Sequence, residues 1–144
     1  LVHRNIDGRL VFSEDETVFD YTARVILPSP IQLSCDLSKM TEFEFDVYTN
    51  NEVIAINQDS LCAAAQLEQN EKCGEKYVRV YRKPLENGDD AVAIFNIGNT
   101  VETVTVKTGV NSRDVWAKKD IDTSDGTYKV TMPPRTVKLI RTGD

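Results

Sequence analysis

Thr49-Asn50-Asn51-Glu52-Val53-Ile54-Ala55-Ile56-Asn57-Gln58-Asp59 divides the chain into two kinds of sequence. Ahead of it, Ser13-Glu14-Asp15-Glu16 is a capping box: the Ser13 hydroxyl can accept from the Glu16 amide while the Glu16 carboxylate reaches back to the Ser13 amide. Val18, Phe19, Thr22, Val25 and Ile26 then recur at helical spacing until Pro28 and Pro30 stop the run, which predicts a helix of about fifteen residues with one apolar face. Ile31, Leu33 and Cys35 read as a short apolar strand, Asp36 to Lys39 as a polar turn, and Met40, Phe43, Val47 and Tyr48 as a weaker helix. Helix, strand, helix is the rhythm of a parallel α/β unit.

Beyond Asp59 the period changes. Tyr77 to Tyr81 alternates, Pro84 and Asn87-Gly88 mark a turn, and Ala91 to Phe95 is a short apolar run of the kind a strand buried on both faces shows. Gly98-Asn99 turns the chain again, and an alternating run covers Val101 to Val106. Arg113 to Ala117, which carries the lone Trp116, Tyr128 to Met132 and Thr136 to Ile140 follow, with Asp125-Gly126 and Pro133-Pro134 between them. Strands at intervals of about ten residues, separated by turn signals, predict an antiparallel β-sandwich. The fold class expected is therefore mostly β: residues 1–59 as the end of an α/β barrel (helix, strand, helix), and residues 60–144 as a sandwich. A strand apolar on both faces, such as Ile31 to Cys35, needs neighbours on each side. Together with a first residue, Leu1, that is not an initiator Met, this leads us to expect that residues 1–59 complete a larger unit.

Composition narrows the functional classes. The chain has 144 residues, 40% apolar and 28% charged, with a net charge of -6. Such a balance repels nucleic-acid phosphate, and no Lys/Arg cluster with interleaved aromatics offsets it. No apolar run approaches the roughly 18 residues needed to span a bilayer. Cys35, Cys62 and Cys73 lack the paired short spacings of a zinc site, and His3, the single histidine, cannot complete one, so no metal or other cofactor is expected. Cys35 reads as a buried free thiol in the apolar strand. Cys62 and Cys73 flank Gln66 to Lys72, read as the tip of a hairpin. A disulfide between them would imply an oxidising compartment; free thiols are the simpler alternative.

Several blocks, taken in order, resemble one family. Pro30 to Met40 is similar to the last barrel strand and following turn of the melibiase-type α-galactosidases (glycoside hydrolase family 27), and Asn51 to Asp59 to the segment by which that family leaves its barrel. Val80 to Leu85, Ala91 to Asn96, Arg113 to Asp120 and Pro133 to Ile140 follow in the order of its C-terminal domain. There is one departure: where the family continues from Asn-Gln-Asp into Pro-Leu-Gly, this chain has Ser60-Leu61-Cys62. The resemblance implies a (β/α)8 barrel that ends near residue 59, with the rest of that barrel as the partner of this segment. It implies a carbohydrate substrate for the parent enzyme and a secreted or periplasmic location.

The same resemblance implies retaining hydrolysis of terminal α-galactosides, which uses two carboxyl groups about 5 Å apart. The family's catalytic aspartates lie on earlier barrel strands, so no residue here inherits either role. Asp36 is the substrate-side candidate, because it would stand at the C-terminal end of a barrel strand, where barrel enzymes place their sites. Its alternative role is to cap the following turn. Asp89 and Asp90 read as solvated turn residues, Glu14 to Glu16 as the acidic start of a helix, and Asp120 and Asp122 as part of a polar loop. Tyr77, Tyr81 and Trp116 are candidates for a sugar-stacking platform, with a core position the competing reading for Trp116. Two functions follow: a supporting C-terminal segment of a glycosidase, or a carbohydrate-binding sandwich module. A third possibility keeps the family but shifts the activity toward another α-linked sugar.

Overall fold

The computed structural model describes residues 11–27, 29–71 and 77–144. Helix α1, Glu14–Ile26, starts at the expected capping box: the Glu16 amide donates to Ser13 Oγ at 3.2 Å, and the Ser13 amide donates to the Glu16 carboxylate at 3.1 Å. Thr41 and Glu44 repeat this box at the start of α2, Glu42–Tyr48, where the Thr41 amide reaches the Glu44 carboxylate at 2.8 Å. The dividing stretch is itself helical. Asn50 caps α3, Asn51–Asn57, by accepting from the amides of Glu52 and Val53 at 3.1 and 3.4 Å. No helix among the described residues is long and apolar enough to cross a membrane.

Among the described residues eight strands follow: β1 (Gln66–Glu71), β2 (Val78–Pro84), β3 (Asp90–Asn96), β4 (Glu102–Lys107), β5 (Asn111–Asp114), β6 (Lys119–Asp122), β7 (Thr127–Met132) and β8 (Val137–Gly143). One sheet has six strands in the order β1-β2-β3-β8-β5-β6, and β4 and β7 form the other. Every pairing is antiparallel. The fold is thus mostly β, an antiparallel sandwich behind a few short helices.

The larger sheet is covered on both faces, which accounts for the unbroken burial of Ala91 to Asn96 in β3. Val78, Val80, Val92, Ile94 and Ile140 point inward and meet Val104, Val106 and Met132 of the smaller sheet. Side chains of opposite parity, Ala93, Phe95, Val137 and Leu139, meet Tyr21, Val25 and Ile26 of α1 and Val53 and Ile56 of α3. The rings of Phe19 and Phe95 contact edge-to-face at 4.9 Å.

Polar contacts join the helices to this outer face. Arg113 on β5 grips Glu52 of α3 with two bonds of 2.7 and 2.8 Å. Asn50 donates to the Val115 carbonyl at 3.3 Å, and Trp116 Nε1 donates to Thr22 Oγ1 at 2.9 Å. Lys83, fully buried on β2, donates to the Ile56 carbonyl in the last turn of α3 at 2.5 Å. The Asp59 carboxylate receives the Glu86 amide from the β2–β3 turn at 3.1 Å.

Several local expectations change. Residues 31–35 form no strand, because no described segment pairs with them, and Cys35 lies in a bend; Ile31, Leu33 and Cys35 alternate half-buried with exposed Gln32 and Ser34. Cys35 is accordingly half-buried, not buried. Gln66 to Glu71 is no hairpin tip but edge strand β1, paired with β2 through a bulge between Leu67 and Gln69. Strand β5 stops at Asp114, so Trp116 lies in the turn to β6, and Asp120 and Asp122 belong to that strand instead of a loop.

The departure at Ser60-Leu61-Cys62 has a structural consequence. Asp59 to Cys62 is a tight turn closed by the Cys62 amide on the Asp59 carbonyl at 3.0 Å, with Asp59 Oδ1 accepting from the Leu61 amide at 3.1 Å. Cys62 adopts φ 51°, a left-handed conformation in which Gly carries no Cβ penalty. Proline is favoured at the second position of such turns and Gly at the fourth. Ser60→Pro and Cys62→Gly should therefore each stabilise the chain by about 0.4–1 kcal/mol, read as a higher urea midpoint; a lower midpoint for both would contradict the turn geometry. The Glu52–Arg113 pair gives a pH signature. Hydrogen bonds from Arg113 hold the Glu52 carboxyl below its ordinary 4.5, so its contribution is complete above that pH and is lost as pH falls through the lowered value. Glu52→Gln should lower the urea midpoint near neutral pH, and the gap from the unmodified chain should close progressively below pH 4.5.

Candidate functional site

The sequence candidates occupy separate places. Asp36 is exposed and caps the short 3-10 turn Leu37–Lys39, accepting from the Ser38 amide at 3.1 Å and the Ser38 hydroxyl at 2.7 Å. The bonds from Ser38 hold its carboxyl below the usual range. Tyr81 is half-buried, edge-on to Phe95 at 5.9 Å, and faces α1 across a groove shared with Phe19, Ala23 and Arg79. Trp116 lies beside Tyr21, with ring centroids 6.0 Å apart, and spends its N–H on Thr22. Tyr77, also half-buried, precedes β2. Cys62 is exposed, whereas Cys73, the other half of the disulfide expectation, and His3 lie outside the described residues.

Several carboxylates are engaged in support of the fold. Asp89 and Asp90, expected to be solvated, instead pair with Arg141 at 2.7 Å and with Arg82 at 3.0 Å. Buried Asp114 holds Lys138 at 2.7 Å and caps the β5–β6 turn through the Ala117 amide at 3.0 Å. Each carboxyl with a displaced titration, Glu16, Asp36, Glu52, Asp89 and Asp122, is displaced downward by hydrogen bonds that it accepts. A general acid in glycoside hydrolysis needs the opposite displacement. Among the described residues, no group of three or more His, Cys, Asp or Glu side chains is arranged to hold a metal ion.

Two further concave features bear on binding. The first is a hollow of about 570 Å³ under residues 29–33, lined by Tyr21, Ile31, Leu33, Tyr48, Ile54 and Asn57. Burial raises both phenols, and Tyr48 is pushed up to about 12, so both hydroxyls stay neutral. The second is a charged cleft where α3 meets β5, β6 and β8. Arg113 bridges Glu52 and Asp120, the latter at 2.9 Å, and Arg141 binds Asp89 beside it.

Sequence reasoning passed over Arg113, Arg141 and Lys83. The available signal was strand parity: Lys83 lies two residues from Tyr81 and Arg113 two from Val115, positions that share a face with the apolar residues under the helices.

The model of the alpha galactosidase C-terminal beta sandwich domain matches residues 75–142. The α-galactosidase of Lachancea cidri is 33% identical over 93 residues, covering 60% of this chain and 20% of that protein. That of Schizosaccharomyces pombe is 32% identical over 110 residues, covering 76% of this chain and 24% of that protein. In fold, the chain is similar to the crystal structure of a β-L-arabinopyranosidase from Geobacillus stearothermophilus, with a TM-score of 0.81 at 23% identity, covering 100% of this chain and 34% of that one. The chain spans only about a fifth to a quarter of the length of these curated relatives. The antiparallel sandwich and the matched sequence agree: residues 75–142 are the C-terminal β-sandwich domain of the melibiase-type α-galactosidase family, and the chain resembles a C-terminal part of those enzymes.

Proposed function

We propose that this chain is the C-terminal segment of a longer glycosidase, with residues 1–59 completing a catalytic (β/α)8 barrel and residues 60–144 forming the sandwich that braces it. The parent then hydrolyses terminal α-galactosides with retention, using a carboxylate nucleophile and a carboxyl acid/base that other parts of the protein supply. The segment serves as structural support, and Asp36 stands on the substrate side of the last barrel strand while capping its turn.

The observation that carries this reading is the docking of α1 and α3 on the outer face of the six-stranded sheet. Apolar contacts, the Glu52–Arg113 pair and the Trp116–Thr22 bond make the helical segment and the sandwich one packed body. Strain or displacement in one is thereby transmitted to the other. Residues 31–35 support the barrel role: they alternate in burial, and Ile31 and Leu33 line the hollow beside Tyr21 and Tyr48, which fits a strand awaiting parallel neighbours.

Two measurements test the proposal. The purified chain should release no nitrophenol from 4-nitrophenyl α-galactoside while the longer protein does; release by this chain alone would place the chemistry here. In hydrogen exchange, the amides of residues 31–35 should exchange rapidly in the isolated chain and become protected in the longer protein. Equal exchange in both would remove the barrel-strand assignment.

A further inference from the structure

The charged cleft between α3 and the β5-β6-β8 end of the sheet is not explained by bracing alone. It comprises two adjoining hollows of about 410 and 390 Å³ that share Arg113 and Arg141 as common lining. Each is within the size range of small-ligand sites, about 300–1,000 Å³. Glu52 and Asp120 occupy three guanidinium nitrogens of Arg113, whereas Arg141 donates only through Nε, to Asp89. The two Nη groups of Arg141 donate to none of the described residues. Asp120, whose side chain is 85% exposed, offers its second carboxylate oxygen at the rim.

Two guanidinium groups face five carboxylates, Glu52, Asp59, Glu86, Asp89 and Asp120, so the cleft has no excess positive charge to hold an anion. Arginine forks among the carboxylates also repel a metal ion. What the arrangement offers is fixed donors beside fixed acceptors, each oriented by an ion pair, and vicinal hydroxyl groups of a neutral sugar can use both at once. The geometry points to a saccharide-binding subsite on the sandwich, with Arg141 and Asp120 as its contact residues, away from Tyr81, whose ring packs edge-on to Phe95, and from Trp116, whose ring and N–H are committed to α1. This inference rests on the glycosidase reading, which brings galactosides to the protein, and places a second, non-catalytic contact for them at the seam.

The test is an NMR titration of the folded chain with methyl α-galactoside, following the arginine Nε–H signals, with glycerol as the control polyol. Saturable shifts at Arg141, with a dissociation constant on the order of 1 mM and no response to glycerol, are expected. Arg141→Ala should weaken binding by about tenfold or more. Asp120→Ala, at an exposed site that does not threaten the fold, should also weaken it. Absence of a saturable shift, an equal response to glycerol, or binding unaffected by both substitutions overturns the inference. Each of these failures leaves the hydrolysis assay on the longer protein untouched, so the subsite and the glycosidase reading can fall separately.

Discussion

A fully buried ammonium group constrains the junction. Lys83 has no solvent exposure, burial lowers its pKa, and it donates to the carbonyl of Ile56. Removing a charged amine from water costs several kcal/mol unless its protons are taken up by oriented acceptors. The C-terminus of a helix, with its exposed carbonyls and partial negative charge, is such an acceptor. Helix α3 must therefore end over β2. That placement brings Asp59, two residues after the helix, within reach of the Glu86 amide, and the chain then turns directly into the sandwich.

The remaining contacts at the junction divide the work by chemistry. Apolar side chains of α1 and α3 cover the outer sheet face and supply most of the driving force, since burial scales with area and needs no particular angle. Orientation comes from the polar ties. The two-pronged grip of Arg113 on Glu52, the Trp116 N–H on Thr22 and the Asn50 amide on Val115 each accept only one arrangement of helix and strand. Asn50 does this while also capping α3, so a single side chain sets where the helix begins and what it rests against.

Features governed by neighbouring residues were legible in the sequence. The Ser13 capping box, the alternation through β2 and β4 and the doubly apolar run of β3 all read correctly, because each depends on residues within one turn or one strand. Helix α3 was read only as a seam, although Asn50 followed by Val53 and Ile56 at one-turn spacing carried the signal. Strand β1 has little β propensity in Gln66-Leu67-Glu68, and it pairs because β2 offers an open edge, a fact of tertiary structure. Trp116 and Lys83 resisted for the same reason. Their partners lie in the other half of the chain, and an alternating pattern names the face a residue occupies without naming what covers that face. Asp36 kept both of its readings, and its contacts here are those of a turn cap.

The strand order has a temporal meaning. In β1-β2-β3-β8-β5-β6, the strand that joins the two halves of the sheet is the one that leaves the ribosome after all the others. Until it arrives, β3 has an unpaired edge, and β5 and β6 form an isolated hairpin with nothing to attach to. The sandwich therefore cannot close progressively during synthesis. It must wait for Val137–Gly143, so a chain that stops short of those residues would present open strand edges to the cell's chaperones and proteases.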